Sequence, residues 1–325
     1  MSEIKIFESD SLEAETVWNN SPHSTIFTNP KFLKKIAKNV RWYIAKKISG
    51  NDDYSELLCA WPLCFDNHGK SYLPPFCYYI GPIWSYTSLS TPIHRKLSLE
   101  TSVYESYIEK FENDFKGFVS SFPIGIHDVR IFDWWNYHNK DKNRVIIQPK
   151  YTAIIENLEN ENLLKENYRK VRRYEIRQIE KLDNLFIDNQ ASFNEILSLY
   201  RQTLGRQELE VSKDYLDTLE KIIDFINESD GEILAIRDKQ KAKSIFFVSL
   251  VLRSKKISNL ILNATDKNYR SIGLPAYGIH NTIKKAAELG DEIFDFNGAN
   301  SPRRGDDKHS YGALVKLYFE LSHKT

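Results

Sequence analysis

One order of elements occurs twice along the 325 residues, and that repetition constrains the fold more than any single motif. In the first half, residues 41–48 (RWYIAKKI) and 56–65 (ELLCAWPLCF) read as strands of a meander, with a turn expected at Gly50, Asn51, Asp52 and Asp53. An aromatic, proline-rich segment follows at 72–84. Tyr104, Tyr107, Ile108, Phe111, Phe115 and Phe118 then recur at helical spacing, and residues 129–135 (VRIFDWW) read as a closing strand. The second half restarts near Tyr151 with a strand at 151–158 and a basic helix over 161–182. Helices near 192–204 and 213–228 come next, then strands at 232–238, 244–252 and 257–264. A tight turn of Arg253, Ser254, Lys255 and Lys256 joins the last two strands. A helix from about Pro275 to Leu289, with Gly290 just past its end, precedes a final strand at 292–298. The two halves share no visible identity, so duplication rests on element order. The expected fold is α/β (α+β): two units, each a mixed, mostly antiparallel sheet flanked by helices, divided between about 136 and 150.

Composition excludes several classes. Apolar residues make up 41% and charged residues 27%, enough to bury real cores. Forty-five Lys and Arg against 44 Asp and Glu leave a net charge of +1, so the whole surface is no nucleic-acid footprint, though a local basic patch fits. No apolar run approaches the roughly 20 residues of a membrane span. The opening residues are acidic and polar, unlike a signal peptide, and a cytoplasmic protein is expected. Cys59, Cys64 and Cys77 match neither a disulfide framework nor a zinc knuckle, so they read as small buried residues in a reducing compartment. The eight histidines are scattered without ligand spacing, and no metal site is expected.

The order of three strands, helix and strand matches the core of the GNAT acyltransferase fold. Several strings resemble FemAB-like proteins, a tandem-GNAT family: residues 18–33 (WNNSPHSTIFTNPKFL), 151–158 (YTAIIENL) with 167–181 (NYRKVRRYEIRQIEK), and 198–207 (SLYRQTLGRQ). The fullest is 294–313 (FDFNGANSPRRGDDKHSYGA), similar to that family's D-F-x-G string followed by an aromatic-Gly-Ala. The resemblance implies two GNAT-like domains around a cleft, 1–150 and 151–309, with residues 310–325 completing the first. It implies transfer of an acyl or aminoacyl group, from acyl-CoA or aminoacyl-tRNA, to an amine in cell-envelope polysaccharide or peptidoglycan precursor synthesis. The donor would be a co-substrate, with no cofactor tightly bound. The acceptor would be an amino sugar, nucleotide sugar or peptide precursor, and tRNA a further partner where it carries the donor; oligomeric state stays open. One departure concerns the donor. Acyl-CoA enzymes of this fold cradle pyrophosphate in a short glycine-containing loop at a helix start. The nearest string here, 270–276 (RSIGLPA), is one residue too long, and Pro275 removes a donor from it.

Candidate residues follow. Period-2 alternation over 293–298 puts Phe294 and Phe296 on one face and Asp295 and Asn297 on the other, facing a cleft or solvent. Asp295 would then take or orient the amine proton, or merely satisfy loop N–H groups beside Gly298. The expected loop 303–310 concentrates Arg303, Arg304, Lys308 and His309 around Gly305, with Asp306 and Asp307 among them. Lys308 would favour charge developing on the donor carbonyl, and Arg303 and Arg304 would hold substrate; a self-neutralised surface loop is the rival reading. Tyr311 would offer its phenol to the same site or pack in the core. Asn263 would bind a substrate amide or only end its strand. Arg169, Arg172 and Arg173 share a helix face that, with Arg270, would meet phosphates of the donor; a solvated, ion-paired face competes. Trp84 and Tyr79, in an aromatic cluster with Tyr78, Trp134 and Trp135, would stack a sugar ring or fill the core. A catalytically inactive GNAT-like protein that binds a sugar or peptide is the second function class.

Overall fold

The sequence pattern resolves, in a computed structural model, into strands β1 (Glu3–Ser9), β2 (Asn39–Ile48), β3 (Ser55–Phe65), β4 (Ile83–Trp84) and β5 (Gly117–Ser121), with helices α1 (Ser11–Asn20), α2 (Pro30–Ile36), α3 (Ile93–Asp114) and α4 (Arg130–Trp134) among them. There follow β6 (Ile146–Glu156), α5 (Glu161–Asn167), α6 (Lys170–Ile179), β7 (Leu185–Asp188), α7 (Phe193–Gly205) and α8 (Lys213–Glu228). The chain ends through β8 (Gly231–Asp238), β9 (Ile245–Ser254), β10 (Ile257–Thr265), α9 (Leu274–Glu288), β11 (Ile293–Asp295), α10 (Pro302–His309) and β12 (Leu314–Lys324). The structure describes residues 3–48, 55–85, 92–159, 161–205, 212–229, 231–241 and 244–324, without the side chains of 161–163, 241, 303 and 304. The turn expected at Gly50–Asp53 lies outside the described residues, as does the end of the 198–207 string. The chain divides into two compact units, Met1–Lys150 with Leu317–Thr325, and Tyr151–Lys316.

In the first unit, β1-β2-β3-β4 form an antiparallel sheet, and β5 pairs with the end of β12, from Glu320 opposite Ser121 to Lys324 opposite Gly117. Helix α3 buries Val103, Tyr104, Tyr107, Ile108 and Phe111, the face its spacing predicts. At the centre, Trp61 meets Tyr104, Tyr107, Phe111, Phe118, Phe122 and Phe132 edge-on, with ring centroids 5.2–6.1 Å apart. Each such pair contributes about 0.5–1.5 kcal/mol beyond its area burial. The indole N–H donates to Ser120 Oγ at 3.0 Å, so the ring's own polar atom is satisfied. The Tyr107 hydroxyl accepts from the Ala45 amide at 3.1 Å, where β2 and β3 shift register, and so satisfies a donor that the bulge would orphan.

In the second unit the strand order is β6-β11-β10-β9-β8-β7. All neighbours are antiparallel except β10 and β11, the parallel pair that α9 connects. The predicted β9–β10 turn is a two-residue one: Lys255 and Lys256 both take positive φ, 53° and 60°, the type I′ conformation that matches strand twist. Helix α9 buries Leu274, Ala276, Ile279, Ile283 and Ala286 in a core that includes Phe247, Leu260, Phe294 and Phe296.

Four sequence expectations change. Residues 129–135 form helix α4 rather than a strand, because Asp128 accepts from the Arg130 amide at 3.1 Å and starts a turn. Helix α3 starts earlier, at Ile93, and stops at Asp114, leaving Phe118 to strand β5. The helix expected over 161–182 breaks into α5 and α6, because the Arg169 amide donates instead to the Ser310 carbonyl at 2.9 Å, a tertiary bond overriding local propensity. The expected loop at 303–310 is helix α10, with Pro302 in its first turn.

Candidate functional site

The parallel pair β10–β11 holds register over only three residues, from Ile257 opposite Ile293 to Asn259 opposite Asp295. Beyond it the strands part. Phe296 stays with β6, its amide donating to the Ala153 carbonyl at 2.9 Å, while Asn297 and Gly298 turn away in left-handed conformation at φ 48° and 67°. Residues 295–298 therefore sit at the point where the sheet opens.

Asp295 and Asn297 do share a face, but that face is inside: they are only 2% and 4% exposed, against the expectation of a cleft-facing or solvent-facing pair. The cause is local wiring. Asp295 Oδ1 accepts from Thr152 Oγ1 at 2.6 Å and from the Asn297 amide at 2.8 Å, which folds the carboxylate into the turn. Asn297 Nδ2 donates to the Leu260 carbonyl at 3.2 Å, across the parting strands. Its Oδ1 is buried without a hydrogen-bond partner. The amide cannot turn over to cure this, since two oxygens would then face each other. A buried acceptor left unmade typically costs about 1–3 kcal/mol.

Lys308 reaches this turn from α10. Its Nζ donates to the carbonyls of Phe296 at 3.1 Å, Asn297 at 2.6 Å, and Gly298. Three convergent carbonyl dipoles stabilise the ammonium, and in return the left-handed turn is fixed. Tyr311, at 2% exposure, packs its ring on Phe296 and Tyr168 with Arg172 over its face at 5.4 Å, and burial pushes its phenol well above the ordinary range. Gly312 has φ 75°, and a Cβ there would meet the Asn167 Cβ at 2.8 Å, so only glycine lets this segment dock on the end of α5.

The arginine stripe proves to be two different things. Arg169 is paired with Asp306 at 2.6 Å, and Arg172 with Glu175 at 2.8 Å, with Asp307 and with Ser310 Oγ at 2.8 Å. These clamp α6 to α10. Arg173, one turn on from Arg169, has no ion pair among the described residues. Arg270 donates to the Thr265 carbonyl at 3.0 and 3.1 Å and to Thr203 Oγ1 at 3.4 Å, tying the loop after β10 to α7. At the start of α9, where a pyrophosphate would need open backbone N–H groups, α6 is packed instead. A Cβ on Gly273, at φ 94°, would lie 2.7 Å from the Glu175 Cβ.

The remaining candidates scatter. Asn263 is exposed within β10, opposite Ser249, and does not end the strand, which runs to Thr265. Trp84 and Tyr79 are 1% and 2% exposed in the first unit's core, where Trp84 donates to Tyr104 Oη at 2.9 Å and Tyr79 meets Tyr318 edge-on at 5.1 Å. Neither offers a free face to a sugar. Arg303 and Arg304 fall on α10, but their side chains lie outside those described. Sequence reasoning missed Thr152 and Ser310. Thr152 alone left a signal, a polar residue in an otherwise apolar strand stretch. Among the described residues no group of three His, Cys, Asp or Glu side chains is placed to hold a metal, and no helix is long and apolar enough to cross a membrane.

Two meander-and-helix units in one chain, the second with a parallel pair parting after a connecting helix, are the arrangement of the tandem GNAT fold. The chain is similar to FemX, with TM-score 0.66 and 14% identity over 99% of this chain and 97% of that one. It is also similar to a tandem GNAT protein from the clavulanic acid biosynthesis pathway (TM-score 0.56, 8% identity, 100% and 98% coverage). L-PGS from Bacillus licheniformis shares the fold as well (TM-score 0.53, 10% identity, 98% and 93% coverage). No protein-family model and no curated protein sequence matches the chain.

Proposed function

We propose that the protein is a cytoplasmic acyltransferase that moves an aminoacyl group from aminoacyl-tRNA to an amine of an amino sugar or peptide in a cell-envelope precursor. The observation that carries this is the orphaned Asn297 Oδ1 at the parting of β10 and β11, on a residue whose backbone carbonyl accepts from the Lys308 ammonium at 2.6 Å. A buried acceptor and an adjacent positive charge suit an amine N–H and a carbonyl whose oxygen gains negative charge. In the reaction the amine nitrogen bonds to the ester carbonyl carbon, the ester C–O bond breaks, and the amine proton passes to the departing oxygen. Asn297 accepts an N–H and orients the nitrogen. Lys308 releases one of its three carbonyls to favour the oxyanion. Asp295, with both Thr152 and the Asn297 amide on one oxygen, is a positioning residue that keeps Asn297 in place. Held in line, well-oriented reactants reach effective molarities of about 10⁵–10⁸ M.

The covered start of α9 favours aminoacyl-tRNA over acyl-CoA, because the backbone and side-chain stem of Glu175 stand where a pyrophosphate would need room. Incubation of amino-sugar and peptide acceptors with charged tRNA or with acetyl-CoA, read by product mass, tests both points. We expect product from charged tRNA alone; product from acetyl-CoA alone reverses the donor assignment. A second reading, binding without catalysis, draws on the Lys308 ammonium being already satisfied by three carbonyls. It predicts acceptor retained without turnover from either donor.

A further inference from the structure

Helix α6 carries five basic residues over 169–177, and they are treated differently. Arg169 and Arg172 are neutralised by Asp306, Asp307 and Glu175. Lys170, Arg173 and Arg177, at i, i+3 and i+7, form the neighbouring stripe, and among the described residues no carboxylate lies within ion-pair distance of any of them. Together with Lys165 of α5 they line a groove of about 560 Å³, with Tyr174, Ile176 and Glu180 completing its lining. The acid there is matched by Lys165 at 3.7 Å. Tyr174 is 59% exposed, an aromatic face left open on a helix whose partners elsewhere are well packed.

We propose that this groove, rather than the Arg169–Arg172 side, binds the phosphodiester backbone of RNA. Seven residues of helix place Lys170 and Arg177 roughly 10 Å apart along the axis, so the three cations form a track rather than a point site. A track of cations in a concave surface beside one open aromatic ring is the arrangement that follows a single strand and stacks a base. An anionic membrane would call for a convex or flat face. The inference deepens the donor assignment above, since the RNA would be that of the aminoacyl-tRNA, and it rests on that reading.

The test uses the full chain and a fluorescently labelled uncharged tRNA, titrated by anisotropy between about 50 and 200 mM salt, with phosphatidylglycerol vesicles in a parallel sedimentation arm. Each single-strand phosphate contact contributes about −0.7 to the slope of log affinity against log salt, so three contacts weaken binding roughly 20-fold over that range. Lys170→Gln/Arg173→Gln/Arg177→Gln should flatten the slope by about 2, and Arg173→Gln alone by about 0.7. Arg169→Gln, on the paired side, should leave the slope unchanged. The single variant guards against a triple variant that fails to fold. Equal slopes for the unaltered protein and Arg173→Gln overturn the proposal, as does vesicle binding without RNA binding. The two assignments fail separately. If the triple variant still turns over aminoacyl-tRNA at the unaltered rate, the groove is wrong and the donor right. If tRNA binds through the groove but only acyl-CoA is turned over, the donor is wrong.

Discussion

The first unit hides rings, and the second hides charges. Among the described residues, the buried polar or charged residues of the first unit, tyrosine and tryptophan aside, are serines, Thr28 and His323. The second unit buries Arg237, Asp238, Asp291 and Asp295. Buried charge costs several kcal/mol per ion before its partners offset it, so it persists where a definite geometry must be held. Here each charge holds chain segments together. Arg237 joins Asp188 at 2.8 Å, Glu195 at 2.6 Å and the Gln190 carbonyl at 3.0 Å. Asp291 takes Arg253 at 2.8 Å and Ser258 Oγ at 2.5 Å beside the β9–β10 hairpin. The contrast separates packing from placement: both units bury apolar cores, and the second adds buried charges that tie its segments together, Asp295 doing so at the 295–298 turn.

Variants can break or sharpen that contrast. The largest effect should come from Trp61→Ala, which empties the centre of six rings and should cost about 3–5 kcal/mol of stability in urea denaturation. Arg253→Ala should cost about 3 kcal/mol, because it strands the buried Asp291 carboxylate rather than opening a cavity. If Arg253→Ala is mild and Asp291→Asn is worse, the wiring account of the second unit fails. Acid should weaken the second unit through Glu195, whose carboxyl the Arg237 hydrogen bond lowers to about 2. Its folded-state value lies below the unfolded 4.5, so this contribution is complete above about pH 5 and is lost as pH falls towards 2. Thermal melts of Glu195→Gln should show a flatter decline over that window than the unaltered protein. The smallest effect belongs to Arg169→Ala: its pair with Asp306 is 49% and 67% exposed, and the melting midpoint should not move measurably.

Much of the fold was legible because its signals are periodic. Helix α8 matches its predicted 213–228, and strands β8, β9 and β10 lie within about two residues of expectation, since apolar alternation there is dictated by burial. Misreadings arose where a tertiary bond overrode local preference, as at Arg169, or where an aspartate began a turn inside an apolar string, as at Asp128. The site was half legible. Asp295, Asn297, Lys308 and Tyr311 do come together, but alternation alone cannot say which face of a strand is covered, and both polar residues proved buried. The arginine stripe misled for a related reason: helical spacing puts Arg169 and Arg172 on one face, yet only the tertiary structure brings Asp306 and Asp307 onto it.

The central claim is that the turn held by Lys308 carries the transfer chemistry, and Lys308→Met tests it most directly. The measurement is a single-turnover transfer from aminoacyl-tRNA to the acceptor, with folded-state stability followed on the same samples. The account predicts a rate lower by about 10²–10³, the range of a lost oxyanion donor, in protein that remains folded. Transfer at the unaltered rate by folded Lys308→Met would contradict it.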